Sequence, residues 1–268
     1  MKIIGEKING TRKRVAQAIA ERDAVFIQDL AYRQAEAGCD WLDVNAGTHP
    51  QQEPDDLVWL VETIQAVVET PLCLDSANPQ ALSAALTSVK QTPMINSISG
   101  EPQRLERILP LVSESGSQVI ALAMDAKKIP ETGEARVAIV HNILKATRAA
   151  GIPDEHIYVD PLAMTLSTNI QSGVIFFETL RSVHAAYPEV RFTAGLSNIS
   201  FGLPARSFIN RAFLTLALAP GLDSAILDPL DGELKAAILA AELVLGRDRH
   251  CLNYTRAYRA GVFHPSSL

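Results

Sequence analysis

Two hydrophobic patterns alternate along almost the whole length of this chain. Short apolar runs, without the polar alternation of a half-exposed strand, are typical of buried parallel strands. Between them, apolar residues recur at a spacing of about three or four positions, which is typical of a helix with one buried face. Residues 53–69 show the second pattern, in which the buried face would hold Leu57, Leu60, Val61, Ile64 and Val68.

These patterns predict strands and helices in regular alternation. The strands are expected at residues 2–8, 41–44, 72–74, 94–95, 118–123, 157–159 and 224–227, with one more that opens at Arg191 and breaks at Gly195. The helices are expected at residues 16–20, 23–37, 53–69, 79–89, 102–114, 133–150, 174–186, 207–218 and 232–245. Asp23 is a candidate N-cap, and Gly38 a candidate helix stop.

Eight strand-then-helix units favour the α/β class and, within it, a (β/α)8 TIM barrel. A barrel of this kind accommodates 268 residues as one unit, and no Pro/Gly-rich linker interrupts the chain. We therefore expect a single domain over residues 1–268. A doubly wound open sheet is the alternative, but no Gly-x-Gly-x-x-Gly follows the first strand and no Gly-Lys-Ser/Thr loop is present.

Polar residues follow nearly every predicted strand. In a β/α barrel the carboxyl ends of the strands meet at one mouth, so residues far apart in sequence form a single ring there. That ring would contain Glu6, Asn9, Asp43, Asn45, Asp75, Asn96, Asp125, Asp160, Ser197, Asn198 and Asp228. Asp and Asn also form turns and caps, and about half of these positions are expected to have only that structural role.

The residue types in the ring exclude several mechanisms. No histidine lies at a strand end, so a histidine-ligated metal site or a Ser-His-Asp triad is hard to assemble. Lys7 lies inside the first strand and gives a Schiff-base enzyme only weak support. The remaining carboxylates and amides suit a neutral ring rich in donors, such as an aminopyrimidinone. Ser197 and Asn198 would face this ligand, although the same pair could simply form a turn.

Charge and cysteine content narrow the choice of partners and compartment. The net charge of −6, with no cluster of basic and aromatic residues, disfavours nucleic acid. The first seven residues include charged side chains and lack an apolar signal core, and no apolar run is long enough for a membrane span, so we expect a cytoplasmic protein. Cys39, Cys73 and Cys251 are widely separated and odd in number, which predicts reduced thiols and no cysteine metal site.

Several segments together resemble the pterin-binding methyltransferases that move a methyl group between methyltetrahydrofolate and a corrinoid protein. That family includes the methyltetrahydrofolate:corrinoid iron-sulfur protein methyltransferases and the folate-facing methyltransferases of anaerobic demethylation systems. The matching segments span essentially the whole chain and are residues 4–10, 42–45, 72–76, 94–97, 158–162, 195–200 and 209–211.

The resemblance implies a specific reaction and specific site residues. The substrates would be tetrahydrofolate or methyltetrahydrofolate and a corrinoid (cobalamin) carried by a partner protein, with no metal bound by this chain. Asp75, Asn96 and Asp160 would hold the pterin, and Asn198 would reach toward the methylated nitrogen as the catalytic residue. Arg206 would lie near the folate.

Further substrate-binding candidates come from the strand ends and from the segment after Arg191. They are Glu6, Asn9, Gly195, Ser197 and Phe201. At Phe201 the sequence departs from the acetogen enzymes, which tend to carry a polar residue, and is closer to the folate module of cobalamin-dependent methionine synthase. A stacking role on the ligand and a packing role in the core both remain open for this ring.

Two other functions remain in consideration. A dihydropteroate synthase shares the barrel and pterin site, but it needs basic residues for a pyrophosphate, and only Arg206 and Arg211 are near the mouth. A non-catalytic pterin-binding or corrinoid-docking module is the second alternative. The resemblance also implies a homodimer, for which apolar helix positions in residues 208–218 and 238–245 are candidates. The direction of the reaction and the source of the methyl group, whether methoxylated aromatics, quaternary amines or the acetyl-CoA route, stay open.

Overall fold

A ring of short parallel strands forms the centre of the protein, and the helices surround it. The computed structural model describes residues 1–126 and 129–263; residues 127–128 and 264–268 of the expected domain lie outside the described residues. The strands are Lys2–Asn9 (β1), Trp41–Asn45 (β2), Leu72–Asp75 (β3), Met94–Ile98 (β4), Gln118–Leu122 (β5), Ile157–Asp160 (β6), Arg191–Phe192 (β7) and Ser224–Leu227 (β8). The helices are Lys13–Glu21 (α1), Ala24–Glu36 (α2), Glu53–Gln65 (α3), Pro79–Leu86 (α4), Pro102–Ser115 (α5), Gly133–Ala149 (α6), Ser172–Ala186 (α7), Arg206–Leu218 (α8), Gly232–Val244 (α9) and Leu252–Arg259 (α10).

The sheet closes on itself, which confirms the predicted (β/α)8 barrel. Its strands lie in the order β7-β6-β5-β4-β3-β2-β1-β8, and every neighbouring pair is parallel. The two ends meet where the Ile226 N–H donates to the Ala194 carbonyl at 2.8 Å and Gly195 forms a parallel bridge with Ile226. Closure removes both sheet edges and brings the carboxyl ends of all the strands to one mouth.

Two strands differ from the predicted boundaries by more than one residue. β4 continues to Ile98, past the predicted end at Ile95, because an irregularity between Asn96 and Ile98 lets it keep pairing with β5. β7 ends at Phe192 rather than near Gly195. The residues that follow make only isolated bonds to both neighbours, such as the Thr193 N–H to the Val159 carbonyl at 2.9 Å, so the barrel closes through an irregular segment.

A small apolar cluster inside the barrel separates its two ends. The side chains of Ile4, Trp41, Cys73, Met94, Ile120 and Tyr158 pack there. Trp41 and Tyr158 meet edge to face, with ring centroids 6.0 Å apart. The larger core lies between the strands and the helices. Apolar side chains therefore fill the barrel interior on the amino-terminal side, and Asp43, Asp75 and Asn96 follow them along β2, β3 and β4 and line the cavity at the mouth.

The first strand contains a bulge that matters for the mouth. Its register against β2 shifts between Gly5 and Ile8, and the freed Lys7 N–H donates to the buried Gln34 side chain of α2 at 3.0 Å. A Cβ on Gly5 would lie 2.6 Å from the Gln34 Oε1, so only glycine leaves room for this contact. Consecutive side chains of a regular strand face opposite sides, whereas a bulge redirects them. Both neighbouring side chains therefore reach the mouth: Glu6 lines the cup, and Lys7 forms an ion pair with Asp228.

The structure agrees with the predicted ends of α2 and with the prediction of reduced cysteines. Asp23 caps α2 by accepting the Phe26 N–H at 3.1 Å, as predicted, and Gly38 follows that helix with a φ of +88°. All three cysteines are free. Within residues 1–126 and 129–263, none of the helices is both long enough and apolar enough to cross a bilayer.

Candidate functional site

A polar cup opens at the carboxyl ends of the strands. Its volume is about 340 Å³, within the range of roughly 300–1,000 Å³ that is usual for small-molecule sites. It is lined by Glu6, Asn9, Thr11, Arg12, Asp43, Asp75, Asn96, Gly195, Ser197, Asn198 and Ile226. A larger hollow of about 880 Å³ lies outside the barrel between α6 and α7. We assign the site to the cup because its polar groups converge from several strands.

The structure brings together most, but not all, of the predicted site residues. Those that line the cup are Glu6, Asn9, Asp75, Asn96, Gly195, Ser197 and Asn198. Asp160, Phe201 and Arg206 lie beside it without lining it. Most of the lining residues form two walls. The carboxylate wall consists of the acids Glu6, Asp43 and Asp75 together with Asn96, from β1 to β4, and the amide wall consists of Gly195, Ser197 and Asn198, from the loop after β7.

The carboxylate wall contains two acids that share one buried environment. The Asn45 amide donates to Asp75 Oδ2 at 2.9 Å, and the Asn96 amide donates to Asp43 Oδ1 at 3.4 Å. Burial raises the pKa of Asp43 well above its usual range, and the nearby negative charge of Asp75 raises it further. Burial also raises the pKa of Asp75, but the Asn45 hydrogen bond and the Arg104 charge oppose that rise. Asp43 is therefore the acid of this pair that holds a proton more readily.

The cationic groups at the mouth are paired with carboxylates. The Arg12 guanidinium donates to Glu6 Oε1 at 2.8 Å, and Lys7 forms an ion pair with Asp228. Burial raises the pKa of Glu6, although the charge of Arg12 opposes the shift. The Arg12 guanidinium thus balances the negative charge of Glu6 and is not available as an unpaired positive charge in the cup.

The amide wall presents one carboxamide that has no protein partner. Asn198 lies in the 3-10 helix Leu196–Ser200, is exposed, and makes no side-chain hydrogen bond to the described residues. A Cβ on Gly195 would lie 2.9 Å from Asn198 Nδ2, so the glycine allows the carboxamide to fold over the main chain. Arg206 holds this segment from behind by donating to the Ser197 carbonyl at 2.6 Å and to Ser200 Oγ at 3.0 Å. The segment that carries Asn198 is thus fixed at the cup, while its carboxamide has no hydrogen-bond partner among the described residues.

Asp160 lies behind the amide wall. It ends β6, is 8% exposed, and accepts hydrogen bonds from the main-chain N–H groups of Leu162, at 2.7 Å, and Gly195. Burial raises its pKa to about 6, although both N–H groups and the charge of Arg136 oppose the shift. Because these bonds draw the carboxylate toward the main chain, Asp160 touches the cup through Gly195.

Phe201 neither packs in the core nor lines the cup. Its ring is 66% exposed, so it does not pack in the core, and it does not line the cup. The Arg206 guanidinium lies 5.9 Å from the ring centroid, and Thr165 and Ser167 donate to the Phe201 carbonyl. A stacking role on a ligand remains a prediction for this ring.

Four residues that line the cup were not among the predicted site residues: Thr11, Arg12, Asp43 and Ile226. Asp43 was in the expected ring of strand ends, which was the available signal. Thr11 and Arg12 directly follow the Asn9-Gly10 turn, where a longer loop at the mouth could have been anticipated. The sequence around Ile226 gave no signal, because this residue reaches the cup only through the closure of the barrel beside Gly195.

A metal site has no support from the arrangement of the described side chains. In residues 1–126 and 129–263, no three or more His, Cys, Asp or Glu side chains lie close enough together to bind a metal ion.

The buried acid Asp160 should make the stability of the protein fall as the pH rises. Its folded-state pKa of about 6 lies above the ordinary 3.8, so the folded state binds this proton more tightly than the unfolded state. The stabilisation is complete below pH 3.8 and is lost as the pH passes through 6. Asp160 alone should lower the free energy of unfolding by about 1.4 kcal/mol between pH 5 and pH 7.5.

Urea unfolding at these two pH values measures the effect. The matched variant is Asp160→Asn, which does not titrate, so the other buried acids contribute equally to both proteins. The variant should lose less stability over the same interval. The same loss in both proteins would contradict the prediction.

The chain is similar to known proteins over most of its length. A family model described as "pterin binding enzyme" matches residues 5–228. Methylcorrinoid:tetrahydrofolate methyltransferase of Eubacterium limosum is 40% identical over 267 residues, which cover 99% of this chain and 98% of that protein. Methionine synthase of Mycobacterium tuberculosis is 30% identical over 237 residues, which cover 84% of this chain but 20% of the much longer protein.

Solved structures share the same architecture. Dihydropteroate synthase from Xanthomonas albilineans, in complex with 7,8-dihydropteroate, aligns with a TM-score of 0.68 and 21% identity over 93% of each chain. The Coxiella burnetii enzyme, in complex with pteroic acid, aligns with a TM-score of 0.70 and 18% identity over 91% of this chain and 93% of its own. At these identities the likeness shows a common fold.

Proposed function

This chain belongs to the pterin-binding enzyme family, whose model covers residues 5–228, and we propose that it transfers a methyl group between a corrinoid protein and tetrahydrofolate. The reaction pairs methyltetrahydrofolate and Co(I) corrinoid with tetrahydrofolate and methyl-Co(III) corrinoid, and it can run in either direction. The Eubacterium limosum relative is named for transfer from the methylcorrinoid to tetrahydrofolate. The observation that carries the proposal is the cup, in which the Asn198 carboxamide, without a hydrogen-bond partner among the described residues, lines the same cavity as the carboxyl groups of Glu6, Asp43 and Asp75.

The cup suits the chemistry of a reduced pterin. The pterin has a 2-amino group and a ring N–H on one edge, and a carboxylate such as Asp75 can accept hydrogen bonds from both. The carboxamide of Asn96 can serve a ring carbonyl and its neighbour, because it contains a donor and an acceptor. Asp75, the last residue of β3, pairs with Asn96 of β4, and both line the cup, so they can contact the same ligand edge.

Methyl transfer from the pterin requires help at the leaving nitrogen. That nitrogen would depart as an anion unless it were protonated or strongly hydrogen-bonded, so a donor that binds it more tightly as the methyl leaves lowers the barrier. We assign this donor to Asn198, which lines the cup in a segment that Arg206 binds at the Ser197 carbonyl and whose carboxamide has no hydrogen-bond partner among the described residues. A carboxamide does not ionise near neutral pH, so solvent at the open mouth supplies the proton. The corrinoid substrate brings the nucleophilic cobalt from the partner protein.

The dihydropteroate synthase alternative has less support from the charges at the mouth. It requires positive groups for a pyrophosphate, but Arg206 donates to the Ser197 carbonyl and Arg211 pairs with Glu233 at 2.5 Å. Arg12 and Lys7 are likewise paired with acids. Among the described residues at the cup, these cations are committed to partners within the protein.

A methyl-transfer assay tests the proposed function. The protein is mixed with methyltetrahydrofolate and Co(I) cobalamin, and methylcobalamin is followed by absorbance; we expect turnover that depends on the protein. Binding of methyltetrahydrofolate without turnover would identify a non-catalytic module instead. Product from a dihydropterin pyrophosphate and p-aminobenzoate, with no methylcobalamin, would identify a dihydropteroate synthase.

Further properties are part of the same proposal. A homodimer is supported by exposed apolar residues on α8 and α9, namely Phe208, Leu216 and Val244, which are 69%, 60% and 86% exposed, whereas Ile238 is buried. A cytoplasmic location is supported by the three free cysteines. A single domain over residues 1–268 is supported by the continuous barrel that the described residues form.

A further inference from the structure

Two arginines outside the cup bind the main chain directly after residues that are predicted to hold the pterin. Arg136 projects from α6, and its Nη1 donates to the carbonyls of Pro161, at 2.6 Å, and Leu162, at 2.8 Å. Its Nε donates to the Pro130 carbonyl at 3.0 Å. Pro161 and Leu162 are the two residues that follow Asp160. One guanidinium thus ties together the loops after β5 and β6.

Arg104 makes the same kind of contact one helix earlier. It projects from α5, and its Nε donates to the Ser97 carbonyl at 2.9 Å, while its Nη2 lies 3.5 Å from the Ser76 carbonyl. Ser97 follows Asn96, and Ser76 follows Asp75. Between them, the two arginines reach the main chain next to all three residues predicted to hold the pterin.

The link from Arg136 to Asp160 is short and leaves little freedom. Leu162 has a φ of +70°, a left-handed conformation that is unfavourable for a leucine. The Leu162 carbonyl accepts a hydrogen bond from Arg136, and the Leu162 N–H donates to Asp160 Oδ1. Arg136 is 2% exposed, so burial of its charge is costly unless it is compensated. The negative charge of Asp160 opposes that cost.

The charges that act on the two carboxylates come from identifiable elements. Asp160 faces Arg136 of α6 and the main-chain N–H groups of Leu162 and Gly195. Asp75 faces Asn45 of β2, Glu53 of α3, Arg104 of α5 and the neighbouring acid Asp43 of β2. For each carboxylate, the arginine is the cation that favours its ionised form.

We propose that Arg136 and Arg104 are positioning residues of the cup: they hold the main chain that carries Asp160, Asp75 and Asn96, and they supply positive charge without entering the ligand space. This inference rests on the proposed function, because it assumes that the cup binds a pterin. A purely structural arginine would affect unfolding only. A positioning arginine also sets the pH range over which its carboxylate is ionised.

Calorimetric titration with methyltetrahydrofolate between pH 5 and pH 8 tests the proposal. Arg136→Met should weaken binding at pH 7 by about tenfold. It should also raise the midpoint pH, at which binding is half lost on acidification, by about one unit, because an opposite charge lowers a carboxyl pKa by roughly that much or more. Arg136→Lys keeps the charge but loses the planar fork, so it should weaken binding while leaving the midpoint closer to that of the wild type.

The matched control is Arg247→Met. Arg247 also donates a guanidinium hydrogen bond to a main-chain carbonyl, that of Leu218 at 3.0 Å, but it lies at the amino-terminal end of the barrel near Lys2 and Asp223. Its replacement should leave both the affinity and the pH midpoint unchanged. Arg104→Met provides a second arm, acting on Asp75, if Arg136→Met does not fold.

The outcomes separate the two proposals. Wild-type protein that fails to bind methyltetrahydrofolate would overturn the proposed function. Wild-type protein that binds, together with folded Arg136→Met or Arg104→Met variants whose affinity and midpoint match it, would overturn the positioning role alone. A pH shift of the same size in Arg247→Met would also overturn it, because the effect would then not depend on contact with the cup.

Discussion

Replacement of Asn198 by alanine should lower the rate of methyl transfer by about 100-fold or more, while the affinity for methyltetrahydrofolate should change by less than about tenfold. Removal of one hydrogen-bond donor aimed at developing negative charge typically costs this much in rate. The donor is expected to bind the pterin nitrogen more tightly as the methyl leaves, so its loss affects the transition state more than the bound substrate. The Asn198 carboxamide lines the cup and has no other partner among the described residues.

Stopped-flow transfer to Co(I) cobalamin measures the rate, and calorimetry measures the affinity. Asn198→Asp is the matched variant, because it keeps the shape of the side chain but replaces the donor with a carboxylate, and it should be as slow as the alanine variant. An unchanged rate in Asn198→Ala would remove this residue from the mechanism. An equal loss in rate and affinity would instead make it a general binding residue.

Asp160→Asn should weaken methyltetrahydrofolate binding by about tenfold or more at pH 7.5. The change replaces two acceptor oxygens with one oxygen and one NH2 group. One of the two main-chain N–H groups that donate to Asp160 in the wild type would then lie against another donor. One of those N–H groups belongs to Gly195, which lines the cup beside Asn198, so the disturbance reaches the ligand space. In the wild type, affinity should fall as the pH drops through about 6, where the carboxylate takes up a proton.

Titration calorimetry across this pH range gives both results. The asparagine variant should show a flatter pH dependence than the wild type, because its side chain cannot titrate. Asp223→Asn is the matched control: Asp223 also has a pKa raised by burial and accepts the Phe192 N–H at 2.8 Å, but it lies at the amino-terminal end of the barrel. Equal affinity of Asp160→Asn and the wild type would count against the assignment of the pterin to this cup.

The proposed assignments depend on groups that gather from distant parts of the chain. Asp75 and Asn96 are paired across neighbouring strands, and the amide wall approaches them from the loop after β7. The carboxylate wall can bind the donor-rich edge of a pterin only if its acids are ionised or ready to lose a proton. Their surroundings therefore matter as much as their positions, and the contacts of Arg104 and Arg136 become part of the site.

Local patterns in the sequence were sufficient for the architecture. The hydrophobic period distinguishes strand from helix because each element must turn one face or both toward a core, and the Asp23 cap follows from a hydrogen bond within a few residues. Polar residues after the strands could be placed at one mouth, because parallel strands in a barrel end at the same side. Asp75, Asn96 and Asn198 were accordingly predicted to meet, and they line one cup.

Properties that depend on distances between elements could not be obtained in this way. The barrel closes through Gly195 and Ile226, which draws an isoleucine into the lining. Asp160 is drawn behind the amide wall by two main-chain N–H groups, one of which lies in another loop. Arg136 reaches the carbonyls of residues 161 and 162 from a helix that precedes them by a full strand.

The order of strands and helices, the barrel and the kind of chemistry at its mouth follow from the amino-acid sequence, because hydrophobic period and side-chain type act within a few residues. Which acids are buried, which arginines compensate them, and which carboxamide has no partner among the described residues become visible only in the folded chain. Burial and charge pairing depend on what surrounds a group in space, and segments far apart in sequence supply those surroundings.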